Sequence, residues 1–343
     1  MKFDVVVGNP PYQDSYVGEN NQASPLYNYF YELAEKSSDI YCLITPARFL
    51  SNQGGTPNLW NKKMLEDNFL KIVYYNPNSN DVFSGVSFKG GIVSILRNIN
   101  KYYGKIGVFI PFEELRSIFH KVKLDESTVL SNMVYSPDSY KFSDIMFEEN
   151  PILSERTDKA HQKAVSSNVF SRYPEVFYDE NTKPNFKAVK VIGREEGIRK
   201  NKLIDARYLK NHENLYKWKV ILAGANGKGL FGETLSSPFV AEPAVAHNQT
   251  FVSIGNFSSE FEANSLLKYI KSKFFRCLLG IMKTTQNNQS KNTWSKIPVQ
   301  DFTENSDIDW SKSISEIDQQ LYKKYGLDKN EIAFIEEKVK EME

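Results

Sequence analysis

The chain of 343 residues is 41% hydrophobic and 13% aromatic, enough apolar side chain to build two packed domains. No run approaches the roughly 18 apolar residues of a membrane span, and the N-terminus lacks the basic-then-apolar layout of a secretion signal, so a cytoplasmic location is expected. Cys42 and Cys277 lie far apart, and His120, His161, His212 and His247 have no ligand-like spacing with them or with one another, which argues against a disulfide and a metal site.

The formal net charge of +1 hides a segregation along the chain. From Lys183 to Lys228 there are 12 Lys/Arg against 4 Asp/Glu, a net of +8, whereas Asp301 to Glu343 carries 6 against 12, a net of −6. Lys271 to Lys296 holds 6 basic residues and no acidic ones. Such asymmetry suits a footprint for phosphates with an acidic tail turned away from it, and equally a set of solvated faces.

Taken in chain order, Phe3 to Gly8 is a short apolar run ending in Gly-Asn-Pro-Pro, and reads as a buried strand stopped by prolines that cannot continue a ladder. Leu26, Tyr29, Phe30 and Leu33 recur at helical spacing behind Ser24-Pro25. Ile40 to Thr45 is a second buried strand running into Pro46, and strand-like runs follow at Leu70 to Tyr75 and Gly91 to Leu96. Strands alternating with helical or polar connections predict an α/β sheet layered with helices. Beyond Tyr103 the alternation dissolves into polar stretches with short strands at Ala188 to Ile192 and Trp218 to Leu222, where the basic excess sits. Two helical segments close the chain, one facing through Ile314, Ile317 and Leu321, the other through Ile332, Ile335, Val339 and Met342. Asp328 and Glu331 have the spacing of a capping box.

The sharpest feature is Phe3-Asp-Val-Val-Val-Gly-Asn-Pro-Pro-Tyr12. At average residue frequencies Asn-Pro-Pro-Tyr occurs by chance in roughly one chain of this size per thousand, and here it directly follows an apolar strand. An exocyclic adenine amine is a poor nucleophile because its lone pair is delocalised into the ring. Asn9 offers a side-chain carbonyl and Pro10 a backbone carbonyl, and two prolines of fixed φ allow both acceptors to be aimed at the amine hydrogens from a rigid loop. Tyr12 can stack on a base that has been rotated out of the duplex.

The segment resembles the catalytic loop of the gamma-type adenine-specific (N6) DNA methyltransferases of bacterial restriction–modification systems. Thr45-Pro-Ala-Arg-Phe-Leu50 is similar to the strand-end segment that follows that loop in the family, and Asp81-Val-Phe-Ser-Gly-Val-Ser-Phe-Lys-Gly-Gly91 to a later hairpin with an aromatic near the target base. Lys273-Phe-Phe-Arg276, Lys283 to Gln289 through Trp294, and Ile297 to Phe302 are similar to its C-terminal recognition region. The resemblance implies Asn9, Pro10, Pro11 and Tyr12 as the catalytic loop, Phe83 or Phe88 as a second base contact unless Phe83 is ordinary core, S-adenosyl-L-methionine as methyl donor and double-stranded DNA as substrate. The expected fold is α/β: a partial Rossmann-like methyltransferase sheet, its catalytic half, over residues 1–105, an α+β target-recognition domain over 106–300, and C-terminal helices over 301–343. Arg48 and Lys89, and further on Arg194, Arg199, Lys200, Arg207, Lys228, Lys283, Gln286, Asn287, Gln289 and Lys291, are the DNA-contact candidates by composition, since Arg bridges guanine and Asn or Gln bridges adenine in the major groove.

The family's glycine-rich cofactor loop precedes the Asn-Pro-Pro-Tyr loop by many tens of residues, and only eight residues precede Asn9 here, so the cofactor-binding residues are unassigned. Gly224-Ala-Asn-Gly-Lys-Gly229 does not match a phosphate-binding spacing. It reads as a recognition-domain turn whose amides and Lys228 could meet a DNA phosphate, or as a plain hairpin turn. A separate subunit carrying the missing half, a truncated chain, and a non-catalytic DNA-recognition relic all stand as readings. A nuclease has no support, because no Pro-Asp is followed by an acidic-x-Lys cluster; Asp205 and Glu213 read as solvated.

Overall fold

The computed structural model describes residues 2–17, 23–85 and 90–342. They divide into two units, Met1–Arg116 with Lys228–Leu230 and Lys283–Thr285, and Ser117–Gly227 with Phe231–Met282 and Gln286–Glu343. The whole is a mixed α/β chain with several sheets and helices.

In the first unit, β1 (Val6–Gly8) leads through the Asn9 loop to a small antiparallel pair, β2 (Gln13–Val17) and β3 (Ala23–Pro25). Helix α1 (Tyr27–Ser37), strand β4 (Ile40–Pro46), helix α2 (Asn58–Glu66) and strands β5 (Leu70–Asn76) and β6 (Ile92–Asn98) follow, and α3 (Glu113–Val122) carries the chain into the second unit. The strands expected from apolar runs are all present, but the first, expected to be buried over Phe3 to Gly8, is a strand only over Val6–Gly8 and is not buried, with Val5 48% and Val7 76% exposed. Their order is β1-β4-β6-β5, with β1 parallel to β4 and β6 antiparallel to both of its neighbours.

Periodicity explains the packing. β4 alternates half-buried with buried positions until Pro46, which has no N–H to continue the ladder. In α1, Tyr27, Tyr31 and Ala34 fall on one buried face. Tyr27, Tyr31, Tyr41, Phe49 and Trp60 form a continuous aromatic cluster with centroids 5.0–6.2 Å apart, tilted and edge-on arrangements that add stabilisation beyond area burial. The turn into β6 admits only glycine: at Gly91 φ is +78°, and a Cβ would stand 2.2 Å from the Asn76 carbonyl oxygen.

The second unit adds β7 (Val134–Tyr135), α4 (Asp144–Glu149), α5 (Val169–Arg172), β8 (Tyr178–Asp179), β9 (Ala188–Glu195), β10 (Ile198–Asp205), β11 (Trp218–Ala223), β12 (Phe239–Ala241), β13 (Val245–His247) and β14 (Phe251–Phe257), then α6 (Glu260–Lys271), α7 (Lys273–Met282), α8 (Ile314–Lys324) and α9 (Lys329–Lys338). One sheet runs β13-β9-β10-β8 and a second β12-β11-β14-β7. Helices α6, α8 and α9 each open on a capping box, at Ser259/Glu262, Ser313/Glu316 and Asp328/Glu331.

The last helix is shorter than its sequence pattern suggests. α9 stops at Lys338 with Val339 extended, so Met342 lies outside it, and its buried residues are Glu331, Phe334 and Ile335. Lys273-Phe-Phe-Arg276, the segment similar to the family's recognition region, is buried: Phe274 and Phe275 are 0% exposed and Arg276 1%. It is the first turn of α7, capped by the Asp318 carboxylate, which accepts from the amides of Lys273 and Phe274 at 2.9 Å each.

A polar network is buried in the second unit. His247 donates from Nδ1 to the Asn248 carbonyl at 3.0 Å, which leaves Nε2 to accept from Ser253 Oγ at 3.1 Å. Ser253 accepts in turn from Asn214 Nδ2 at 3.0 Å, and Asn214 Oδ1 accepts from the Tyr140 hydroxyl at 2.7 Å. Burial first of all pushes His247 down to about 4, so the ring is neutral. Lys219 is equally buried and donates to the carbonyls of Asn214, Leu215 and Lys217.

Candidate functional site

The Asn9 loop leaves β1 at its C-terminal end, beside the C-terminal end of β4, because the two strands run parallel in the register Val6↔Tyr41 to Gly8↔Leu43. Ligand sites of open α/β sheets gather at that end of the strands. Asn9 is exposed, Pro10 buried, Pro11 exposed and Tyr12 half-buried. The loop is tied down where Leu26, just before α1, donates its amide to the Tyr12 carbonyl at 3.1 Å. Burial raises the Tyr12 hydroxyl above its usual range, and a hydrogen bond with the Asn9 side chain works against that rise. Tyr12 is therefore a neutral ring linked to the amide of Asn9. Beneath it the buried hydroxyls of Tyr31 and Thr45 pair at 3.0 Å, which couples the aromatic cluster to the strand end.

Beside Asn9 lies a concavity of about 300 Å³ lined by Phe3, Val6, Val7, Gly8, Asn9, Pro10, Phe30, Leu33, Ala34, Ser37 and Leu43. It follows the edge of β1 that carries no strand among the described residues, where Val7 is 76% and Phe3 54% exposed. The lining holds no carboxylate and no glycine-rich turn into a helix. On these residues alone it does not fit S-adenosylmethionine, whose ribose hydroxyls and charged methionine end need polar partners.

Of the second base-contact candidates, Phe83 is half-buried and donates its amide to the Ser79 carbonyl at 2.9 Å; Phe88 and the DNA-contact candidate Lys89 lie outside the described residues. Arg48 occupies the turn Ala47–Ser51 directly after β4.

In the second unit a polar concavity of about 600 Å³ gathers Arg194 and Gln289 with Asp138, Ser167, Gln249 and Thr250. Gln289 donates to the Gln249 carbonyl at 3.3 Å, and Gln249 donates to Asp138 at 2.5 Å. The sequence reading missed Asp138, Ser167, Gln249 and Thr250, which bear no local motif. Arg199 lines a separate concavity and stacks 3.7 Å over the Phe239 ring, while Lys200 is exposed on β10.

The glycine-rich turn after β11 and the Gln286–Gln289 segment, read separately from the sequence, meet each other. Asn226 donates its amide to the Gln286 carbonyl at 2.8 Å, Asn288 donates its amide to the Gly224 carbonyl at 2.9 Å, and Asn288 Nδ2 donates to Asn226 Oδ1 at 2.6 Å. Asn287 accepts from the Gln289 amide at 2.7 Å, Lys228 and Lys291 are exposed, and Lys283 is 4% exposed with Nζ on the Thr285 carbonyl. Arg207 is engaged on both sides, by Glu149 at 2.6 Å and by Asp205 at 2.8 Å. Asp205, expected to be solvated, is 5% exposed and accepts from the Arg207 amide, ending β10 as an N-cap.

Residues 1–83 match the family model described as the Eco57I restriction-modification methylase. No curated protein matches the chain. Among solved structures, the type IIG restriction endonuclease BpuSI is similar at 13% identity over 97% of this chain and 52% of that one, with a TM-score of 0.33. The chain thus spans about half the length of that structure, and the superposition is too loose to bear on the fold.

Proposed function

We propose that the chain is part of a site-specific adenine-N6 DNA methyltransferase of a restriction–modification system, with residues 1–105 as the catalytic half of a Rossmann-like domain, 106–300 as the target-recognition domain and 301–343 as a C-terminal helical segment. The observation that carries this reading is the Asn9–Tyr12 loop, with Asn9 exposed at the C-terminal end of a parallel strand within the matched residues 1–83. In this role the Asn9 side-chain oxygen and the Pro10 carbonyl accept from the two amine hydrogens of an extruded adenine and return electron density to its nitrogen. Tyr12 stacks on the base and offsets part of the stacking lost on extrusion. These residues orient the neutral amine and need not remove its proton before it reacts, so no base of unusual pKa is required of them.

S-adenosylmethionine, the donor implied by this chemistry, needs polar residues that the β1 concavity does not supply. In this reading those residues come from outside the 343, from a further segment or a separate subunit that pairs with the open edge of β1; an unpaired apolar edge is an aggregation hazard. Calorimetric titration with S-adenosylmethionine, with and without a polypeptide carrying the glycine-rich half, tests it. Binding by the pair and not by the isolated chain is expected, together with methylated adenine in duplex DNA. Tight binding by the isolated chain refutes the split site, and absence of methylation by every reconstituted pair refutes the enzyme.

The alternative, a DNA-recognition module that does not modify its target, is not favoured by the methylase match over residues 1–83. It predicts salt-sensitive DNA binding in a chain whose Asn9 has no chemical role.

A further inference from the structure

Arg48 is held in a way that ordinary surface arginines are not. Its half-buried side chain passes between two glycines: a Cβ on Gly90 would stand 2.6 Å from Arg48 Cγ, and one on Gly54 3.0 Å from Arg48 Cβ and 3.2 Å from Nε. Both glycines have positive φ, +87° and +91°, so backbone conformation and space both require the missing side chain. The Nε is shielded from solvent and has no hydrogen-bond partner among the described residues. The charge is felt at the Tyr27 hydroxyl, where it counteracts the effect of burial.

A guanidinium does not lose its proton, so with Nε enclosed its charge is left to be met at the terminal nitrogens. Its planar fork matches an oxyanion with two parallel hydrogen bonds. Position supplies the rest. Gly8 pairs with Leu43 across the parallel β1/β4 ladder, so Asn9 and the turn bearing Arg48 leave adjacent strands, which lie about 4.8 Å apart, at the same end of the sheet.

We propose that Arg48, cradled by Gly54 and Gly90, clamps a DNA backbone phosphate flanking the adenine that the Asn9 loop receives. This rests on the DNA reading above and adds to it a positioning residue whose task is to fix the strand as the base turns out. The clamp acts in binding, so it can be read without catalysis.

The test is anisotropy titration of the full chain against a short duplex carrying one mismatched adenine, whose extrusion costs least, over a series of salt concentrations. Arg48→Gln is expected to weaken binding roughly tenfold at low salt and to flatten the slope of log K against log salt by about 0.9, the share of one phosphate. Arg48→Lys should keep the slope and lose part of the affinity, since it keeps the charge and loses the fork. Replacing the phosphates flanking the adenine one at a time by neutral methylphosphonates should reveal one position that weakens the wild type and leaves Arg48→Gln unaffected. Should the Gln variant fail to fold, the wild-type scan with the Lys variant decides: a position where the Lys variant loses less than the wild type supports the clamp, and equal losses everywhere overturn it. An unchanged slope in a folded Arg48→Gln overturns the clamp alone. Absence of DNA binding by the wild type at low salt overturns both the clamp and the DNA reading.

Discussion

The Asn9 end of the first unit and the polar network of the second treat their polar side chains in opposite ways. In the first, the Asn9 loop is exposed on a floor of aromatic rings, and the Nε of Arg48 lacks a hydrogen-bond partner among the described residues. In the second, polar groups largely satisfy one another: Arg207 is taken by Glu149 and Asp205, Lys190 by Glu180 and Glu242, Lys219 by three carbonyls, and His247 by Asn248 and Ser253. A high count of basic residues is therefore a poor guide to a ligand site when the fold supplies their partners, and a single polar loop on an apolar floor is a better one. Chemistry is expected to depend on the first unit and stability on the network of the second.

The largest effect expected is at Asn9. In a reconstituted enzyme Asn9→Ala should lower the single-turnover rate of adenine methylation by about 10²–10³, the effect of removing one preorganised polar partner of the reacting group. Affinity for duplex DNA should stay within about twofold. Tyr12→Ala should cost about 1–3 kcal/mol of base stacking, appearing as weaker binding of an extruded adenine analogue. A loss of general DNA affinity as large as the loss of rate in Asn9→Ala would break the division of labour between chemistry and binding.

Next in size is the pH response of the second unit. The folded pKa of His247 is near 4 and its ordinary value 6.5. Above pH 6.5 the ring is neutral in both states and costs nothing. As pH falls from 6.5 towards 4 the unfolded chain takes up a proton that the buried ring refuses, and stability drops by about 1.4 kcal/mol per pH unit, or about 3 kcal/mol in all. Denaturant midpoints of wild type and His247→Gln between pH 7 and 4 measure this as a difference, which removes the common contribution of the carboxylates. A parallel pair of pH profiles would show that the ring accepts its proton while folded and that the network opens.

Much of the first unit can be read along the chain because its signals are local. Ile40 to Thr45 and Gly91 to Leu96 stand out as apolar runs and become β4 and β6 with ends moved by one or two residues. The Asn9 loop is equally plain, since prolines after an apolar strand fix where the ladder stops. The strand order is not legible in this way, because placing β6 between β4 and β5 is a pairing choice made across some fifty residues of chain, at Ile40↔Asn98 for example. In the second unit the deciding partners are as distant or more so: Gln249 reaches Asp138 across 111 positions and Arg207 reaches Glu149 across 58. No window of sequence distinguishes an arginine with such a partner from one without.

Arg194 and Arg207 turn that distinction into the smallest and sharpest comparison. Both lie in the basic segment and both are exposed. Arg194 lines the polar concavity with its guanidinium 5.7 Å from the Phe251 ring, whereas Arg207 faces two carboxylates. Arg194→Gln is expected to weaken DNA binding by roughly tenfold at low salt and to flatten the salt slope by about 0.9, as for the loss of one phosphate contact. Arg207→Gln should leave affinity and slope unchanged, because a guanidinium already balanced by Glu149 and Asp205 releases no counterion from DNA. Anisotropy titrations of the two variants over the same salt series compare them directly. If Arg207→Gln flattens the slope as much as Arg194→Gln, DNA must draw Arg207 away from both carboxylates, and internal pairing would then be a resting arrangement that the phosphate backbone replaces.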